Sequence, residues 1–133
     1  MVGREQIEQT IRAIFKAENA TGVEPSAKSD AIDRLMTPNV QGWANGVSRG
    51  SRAEERQMES VLWSTFPDYH RELVHLVIDP PSAAFAWRIT GSNEALGAIE
   101  VHGSSFAAFD DQGRIERFWL YYDDPFRGAQ SGS

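Results

Sequence analysis

Three histidines and one pair of adjacent acids are the groups in this chain best suited to moving protons. His70 follows Phe66-Pro67-Asp68-Tyr69 and has Glu72 two positions on, so the two side chains share a face of an extended segment. A carboxylate that orients an imidazole makes a general base near neutral pH; an ordinary surface pair is the alternative. His102 stands beside Gly103, and alternation turns it away from Ser105 unless a bulge at Gly103 exchanges the faces. His75 lies in a dense apolar run and reads as a sheet residue. Asp123 and Asp124 end the stretch FWLYYDDPF ahead of Pro125, either as a solvated turn or as acids at a pocket mouth. The histidines lack metal-ligand spacing and the chain has no cysteine. That excludes disulfides and thiolate chemistry, and neither a metal nor a cofactor is expected.

The elements that position these groups follow from periodicity. Ile7, Ile11, Ile14 and Phe15 form one stripe on a helix over 4–19. Ser29 is a candidate cap for a short second helix carrying Ile32, Leu35 and Met36 inward. The stretch VQGWANGVSRG reads as a loop with a possible short extended piece, and Trp43 on it becomes a candidate ligand contact. Ser51 and Glu54 form a capping box for a third helix, with Met58, Val61, Leu62 and Phe66 as its apolar face and Pro67 as its end. Strand-like runs follow at 70–79, 83–91, 98–109 and 114–123, with DDQG as a hairpin turn before the last. Three helices and then a meander predict an α+β fold, the helices packed on a curved antiparallel sheet of about four main strands.

A length of 133 residues suits one domain, placed at 1–126, with 127–133 as a disordered tail. The net charge of −6 argues against nucleic acid and against an anionic membrane surface. The charged start MVGREQIEQT does not resemble a signal peptide, and no apolar run nears the roughly 20 residues of a membrane span. A cytoplasmic protein is expected.

The order Phe66-Pro67-Asp68, AFAWRITG, EVHGSSFAAFDDQGRIERFW resembles the SnoaL-like polyketide cyclases over roughly residues 5–126. Their superfamily also holds nuclear transport factor 2, ketosteroid isomerase, scytalone dehydratase and limonene epoxide hydrolase. The resemblance implies a cone-shaped α+β barrel, a pocket between helices and sheet, and often a homodimer through the outer sheet face. It also places ionisable catalytic groups of those enzymes at positions that here hold Leu120 and Ser105.

With those strand registers, Trp63, Phe66, Phe85, Trp87, Ile89, Val101, Phe118 and Leu120 line the pocket, with Ser105 and Tyr122 as its polar points. Trp43 edges the mouth. Gly103 and Ser105, being small, leave the wall concave. Such a lining suits an apolar small molecule; a filled core is the alternative. The function expected is a cofactor-free cyclase, dehydratase or isomerase, with His70 or His102 as base and Tyr122 or Ser105 as donor to developing oxygen charge. The alternative is a ligand-binding or dimeric interaction module without turnover.

Overall fold

The computed structural model describes residues 1–123; Asp124 and the 127–133 tail lie outside the described residues. Helix α1 (Arg4–Asn19) forms as its stripe predicts and buries Ile7, Ile11, Ile14 and Phe15. Helix α2 (Pro25–Asp33) starts earlier than Ser29, because Pro25 supplies the preset φ of a first helical turn. Ser29 is then inside the helix and buried. Helix α3 (Arg52–Thr65) is capped by the Ser51 side chain, which accepts from the Glu54 amide at 3.2 Å.

The sheet has six strands rather than four, and it is mixed rather than antiparallel. Its order is β2-β1-β6-β5-β4-β3, with β1 (Met36–Ala44), β2 (Val47–Ser48), β3 (His70–Asp79), β4 (Ser82–Asn93), β5 (Gly97–Phe109) and β6 (Ile115–Tyr122). The first part of the stretch read as a loop with a possible short extended piece, residues 40–44, belongs to β1, which runs parallel to β6 through Gly42↔Phe118 and Trp43↔Trp119. Its composition hides it. Thr37-Pro38-Asn39 is poor in strand formers, and the pairing that creates the strand is some 75 residues away in the chain. Asn45-Gly46 then turns β1 into β2, with both residues at positive φ, +50° and +84°.

Two apolar clusters result. The larger sits between α1 and the concave face, with Ile7 and Ile11 fully buried against residues such as Phe85, Trp87 and Phe118. The smaller joins α2, α3 and the start of β3 through Ile32, Trp63, Phe66 and Tyr69. Gly103 does not open a hollow in the wall: its Cβ position is taken by the Trp87 ring, so the missing side chain seats that indole. Among the described residues no helix is long and apolar enough to cross a membrane.

The seat makes a test. Gly103→Ala drives a methyl into the Trp87 ring and to within 2.8 Å of the Tyr121 carbonyl. It is expected to lower stability by about 1–3 kcal/mol, read as an earlier denaturant midpoint at unchanged slope.

Candidate functional site

A cavity of about 320 Å³ lies between the two clusters. Alternation along the strands builds its wall. β4 turns Phe85, Trp87 and Ile89 inward, β5 turns Val101, Ser105 and Ala107, and β6 turns Phe118, Leu120 and Tyr122. The helices close it with Ile11, Ile14 and Phe15 from α1 and with Leu62 and Trp63 from α3; Phe66, just beyond α3, completes that side. Every apolar position assigned to the pocket except Trp43 therefore faces this space, as do Ser105 and Tyr122.

Trp43 does not. It is the neighbour of inward-facing Gly42 on β1, so it points to the outer face, where it stacks on Trp119 at 5.3 Å. His70 and His102 are also outside the cavity. His70 is exposed at the first position of β3, and it is the next residue, Arg71, that turns in. His102 is exposed on the outer face, 3.4 Å from Glu100, because β4 and β5 pair without a break and no bulge forms at Gly103. Neither histidine is placed to act as a base in this space. The His70–Glu72 pair does not form either; Glu72 accepts from Arg88.

Ser105 is only 1% exposed, and its Oγ accepts the Trp87 indole N–H at 2.8 Å. That leaves the hydroxyl hydrogen to be donated. Tyr122 packs against Trp87 with ring centroids 6.0 Å apart. Its backbone is gripped by Asn45, whose Oδ1 accepts from the Tyr122 amide at 3.0 Å while its Nδ2 donates to the Tyr122 carbonyl at 2.9 Å.

The ionisable groups that reach the cavity come from elsewhere. Glu18 on α1 accepts the Tyr69 hydroxyl at 2.6 Å through Oε1 and Arg71 Nη1 at 2.6 Å through Oε2. Burial, and then the Glu18 charge, push the Tyr69 phenol well above its ordinary value. Behind the wall, Lys28 donates to the Glu18 carbonyl and lies over the Trp63 ring; burial lowers its pKa, opposed by Glu18. On α3, Glu55 accepts Arg49 at 2.7 and 3.3 Å. Glu59 accepts Ser29 at 2.7 Å and Arg52 at 2.9 and 3.1 Å. Burial raises the Glu59 carboxyl above its ordinary range and outweighs the pull of Arg52 and Ser29.

Helical spacing carried a signal for these groups. Ile7, Ile11, Ile14 and Glu18 form one continuous stripe, so an acid occupies a buried position of α1. On α3 the inward stripe runs Glu55, Glu59, Leu62 and Phe66, whereas Met58 and Val61 are exposed. Arg71 carried no such signal, because a register shift between Leu73 and His75 changes which positions of β3 face in.

The Tyr69 environment predicts a titration. A group whose pKa is raised on folding keeps its proton in the native state and favours folding below the unfolded value of about 10; that contribution fades as pH climbs through the folded value. Tyr69→Phe is therefore expected to leave the native alkaline tyrosinate absorbance unchanged. It is also expected to flatten the loss of stability above about pH 10, read by denaturation at a series of alkaline pH values.

Solved structures share this architecture. IdmH of Streptomyces antibioticus, described as a candidate polyketide cyclase, aligns at 20% identity over 96% of this chain and 99% of its own, with a TM-score of 0.75. A nuclear transport factor 2-like protein of unknown function from Exiguobacterium sp. 255-15 aligns at 17% identity over 86% and 98%, TM-score 0.72. A hypothetical protein with a ketosteroid isomerase-like fold from Catenulispora acidiphila, in complex with trimethylamine, aligns at 14% identity over 93% and 92%, TM-score 0.71. At such identities the likeness concerns the fold. No curated protein matches the sequence. The family model for the SnoaL-like domain matches residues 11–118, most of the chain, and this protein belongs to that family.

Proposed function

We propose that the protein is a cofactor-free proton-transfer enzyme of the cyclase or isomerase type, acting on an apolar small molecule with Glu59 as the proton carrier and Ser105 as a hydrogen-bond donor. The observation that carries this is the partly buried Glu59 carboxyl, raised by burial and held by Arg52 and Ser29, on the wall of a mostly apolar cavity of about 320 Å³ that Glu18 and Glu55 also line. A carboxyl poised in this way takes a proton from carbon more readily than a fully solvated one. Arg52 and Ser29 hold it in one orientation. The electrons released by C–H cleavage move to a conjugated carbonyl oxygen, where the Ser105 hydroxyl offers a fixed partner. The family and the cyclase described in Streptomyces support chemistry of this kind.

The competing reading, a binding module without turnover, is favoured by Leu120 and Ser105 standing where the resembled enzymes carry ionisable groups. Exchange of the α-hydrogens of 2-tetralone in D2O, followed by NMR, separates the two. The protein is expected to accelerate exchange, with a rate that rises with pH through the elevated pKa of Glu59, since the carboxylate is the active form. Glu59→Gln should remove about a hundredfold or more of the acceleration. Exchange no faster than the buffer rate, or unchanged in Glu59→Gln, leaves the binding reading.

The outer face supports a homodimer. Trp43 and Trp119 are stacked there, and Phe106 and Tyr121, paired edge to face, remain about half exposed. A two-fold axis would set this stripe against its own copy. Light scattering is expected to give the mass of two chains for the natural sequence and of one for Phe106→Arg.

A further inference from the structure

Arg71 is built into the cavity more firmly than a structural ion pair requires. Its backbone is fixed by Asn19, the last residue of α1, whose side chain accepts from the Arg71 amide at 2.7 Å and donates to its carbonyl at 2.8 Å. Its guanidinium lies against two rings, 4.4 Å from the centroid of Phe15 and 4.8 Å from that of Trp87. Contact with two rings restricts the orientation of the planar group, whose N–H donors are its polar part. Along that edge, Nη1 is committed to Glu18. Among the described residues that is the one side-chain hydrogen bond the guanidinium makes. Nε is buried without a partner, and Nη2 has no bonded acceptor.

A guanidinium carries five N–H donors, and burying them unmatched is costly. The side chain is 11% exposed and lines the cavity. Phe15 and Trp87, which hold it, are themselves cavity walls, so an aromatic surface leads to the guanidinium. An oxygen at the end of a flat apolar molecule complements this arrangement in shape and in polarity.

We propose that Arg71 is the polar anchor of the cavity. It donates from its free edge to a carbonyl or enolate oxygen on a planar, conjugated ligand whose apolar body lies among the aromatic walls. Glu18 and Tyr69 act through it as positioning residues, balancing its charge and holding its edge. The assignment rests on the reading of the cavity as a ligand site and names the ligand class that site takes.

Calorimetric binding of two isosteric probes tests it without requiring turnover. 2-Acetonaphthone carries the oxygen, and 2-isopropenylnaphthalene replaces C=O with C=CH2 at the same shape. The natural protein is expected to bind the ketone about tenfold or more tightly than the alkene, the worth of one hydrogen bond from a charged donor. Arg71→Met should abolish that preference while still binding the alkene. Arg71→Met combined with Glu18→Gln leaves no lone buried charge and should behave the same if the single variant folds poorly. Glu18→Gln alone keeps the guanidinium and should keep the preference. Equal affinities in the natural protein, or a preference that survives both Arg71 variants, overturns the anchor and leaves an apolar ligand site standing. Failure of both probes to bind the natural protein overturns the ligand-site reading together with the anchor.

Discussion

Keeping Glu18 and Arg71 out of water is the constraint around which the interior is arranged. Either charge alone in that position would cost several kcal/mol. They are tolerable because each meets the other at 2.6 Å, because Tyr69 satisfies the second carboxylate oxygen, and because two rings cover the guanidinium. The arrangement demands that α1, the start of β3 and the middle of β4 meet at one point. Asn19 secures that meeting through the backbone of β3. At the other end of α1, Thr10 and Gln6 donate to the carbonyls of Gly113 and Gln112 in the β5–β6 turn. The helix is thus clamped to the sheet by polar ties at both ends, with its apolar stripe between.

A second set of charges secures α3. Arg49 meets Glu55, and Arg52 bridges Glu59 and Asp33. Ser29, buried on α2, completes the bond to Glu59. These ties fix α3 against α2 and against the turn that follows β2. Two of their carboxylates, Glu55 and Glu59, are also titratable side chains of the cavity wall.

Much of the architecture was legible before the structure. The α1 stripe, the Ser51 cap, the Phe66-Pro67 stop and the four long strands are local signals, and each needs only its neighbours in the chain. The inward faces of β4, β5 and β6 were legible too, since alternation there is nearly uninterrupted. What was hidden depends on distant partners. β1 exists through β6, and Trp43 takes the outer face because that pairing sets its parity. The charged lining was missed for a different reason. Glu18, Glu55 and Glu59 sit at core positions of their helices, and an acid at such a position reads as polar surface until its cation is known. Arg71 comes from a distant strand, Arg49 from the turn just before α3, and Arg52 from the first turn of the helix that carries Glu59.

The shift in β3 has a wider meaning. Before it, Arg71 and Leu73 face inward; after it, Leu76 and Ile78 do, with Val74 and His75 together opposing a single step of β4. One strand thereby holds two frames joined at a seam. The frame beyond the seam keeps the hydrophobic centre together through Ile78, and the frame before it presents chemistry to the hollow. Upstream of the seam, a change at position 71 calls for a matching change at Glu18, while the apolar frame downstream keeps its own partners. One strand thus separates the part that answers to a buried charge from the part that answers only to packing.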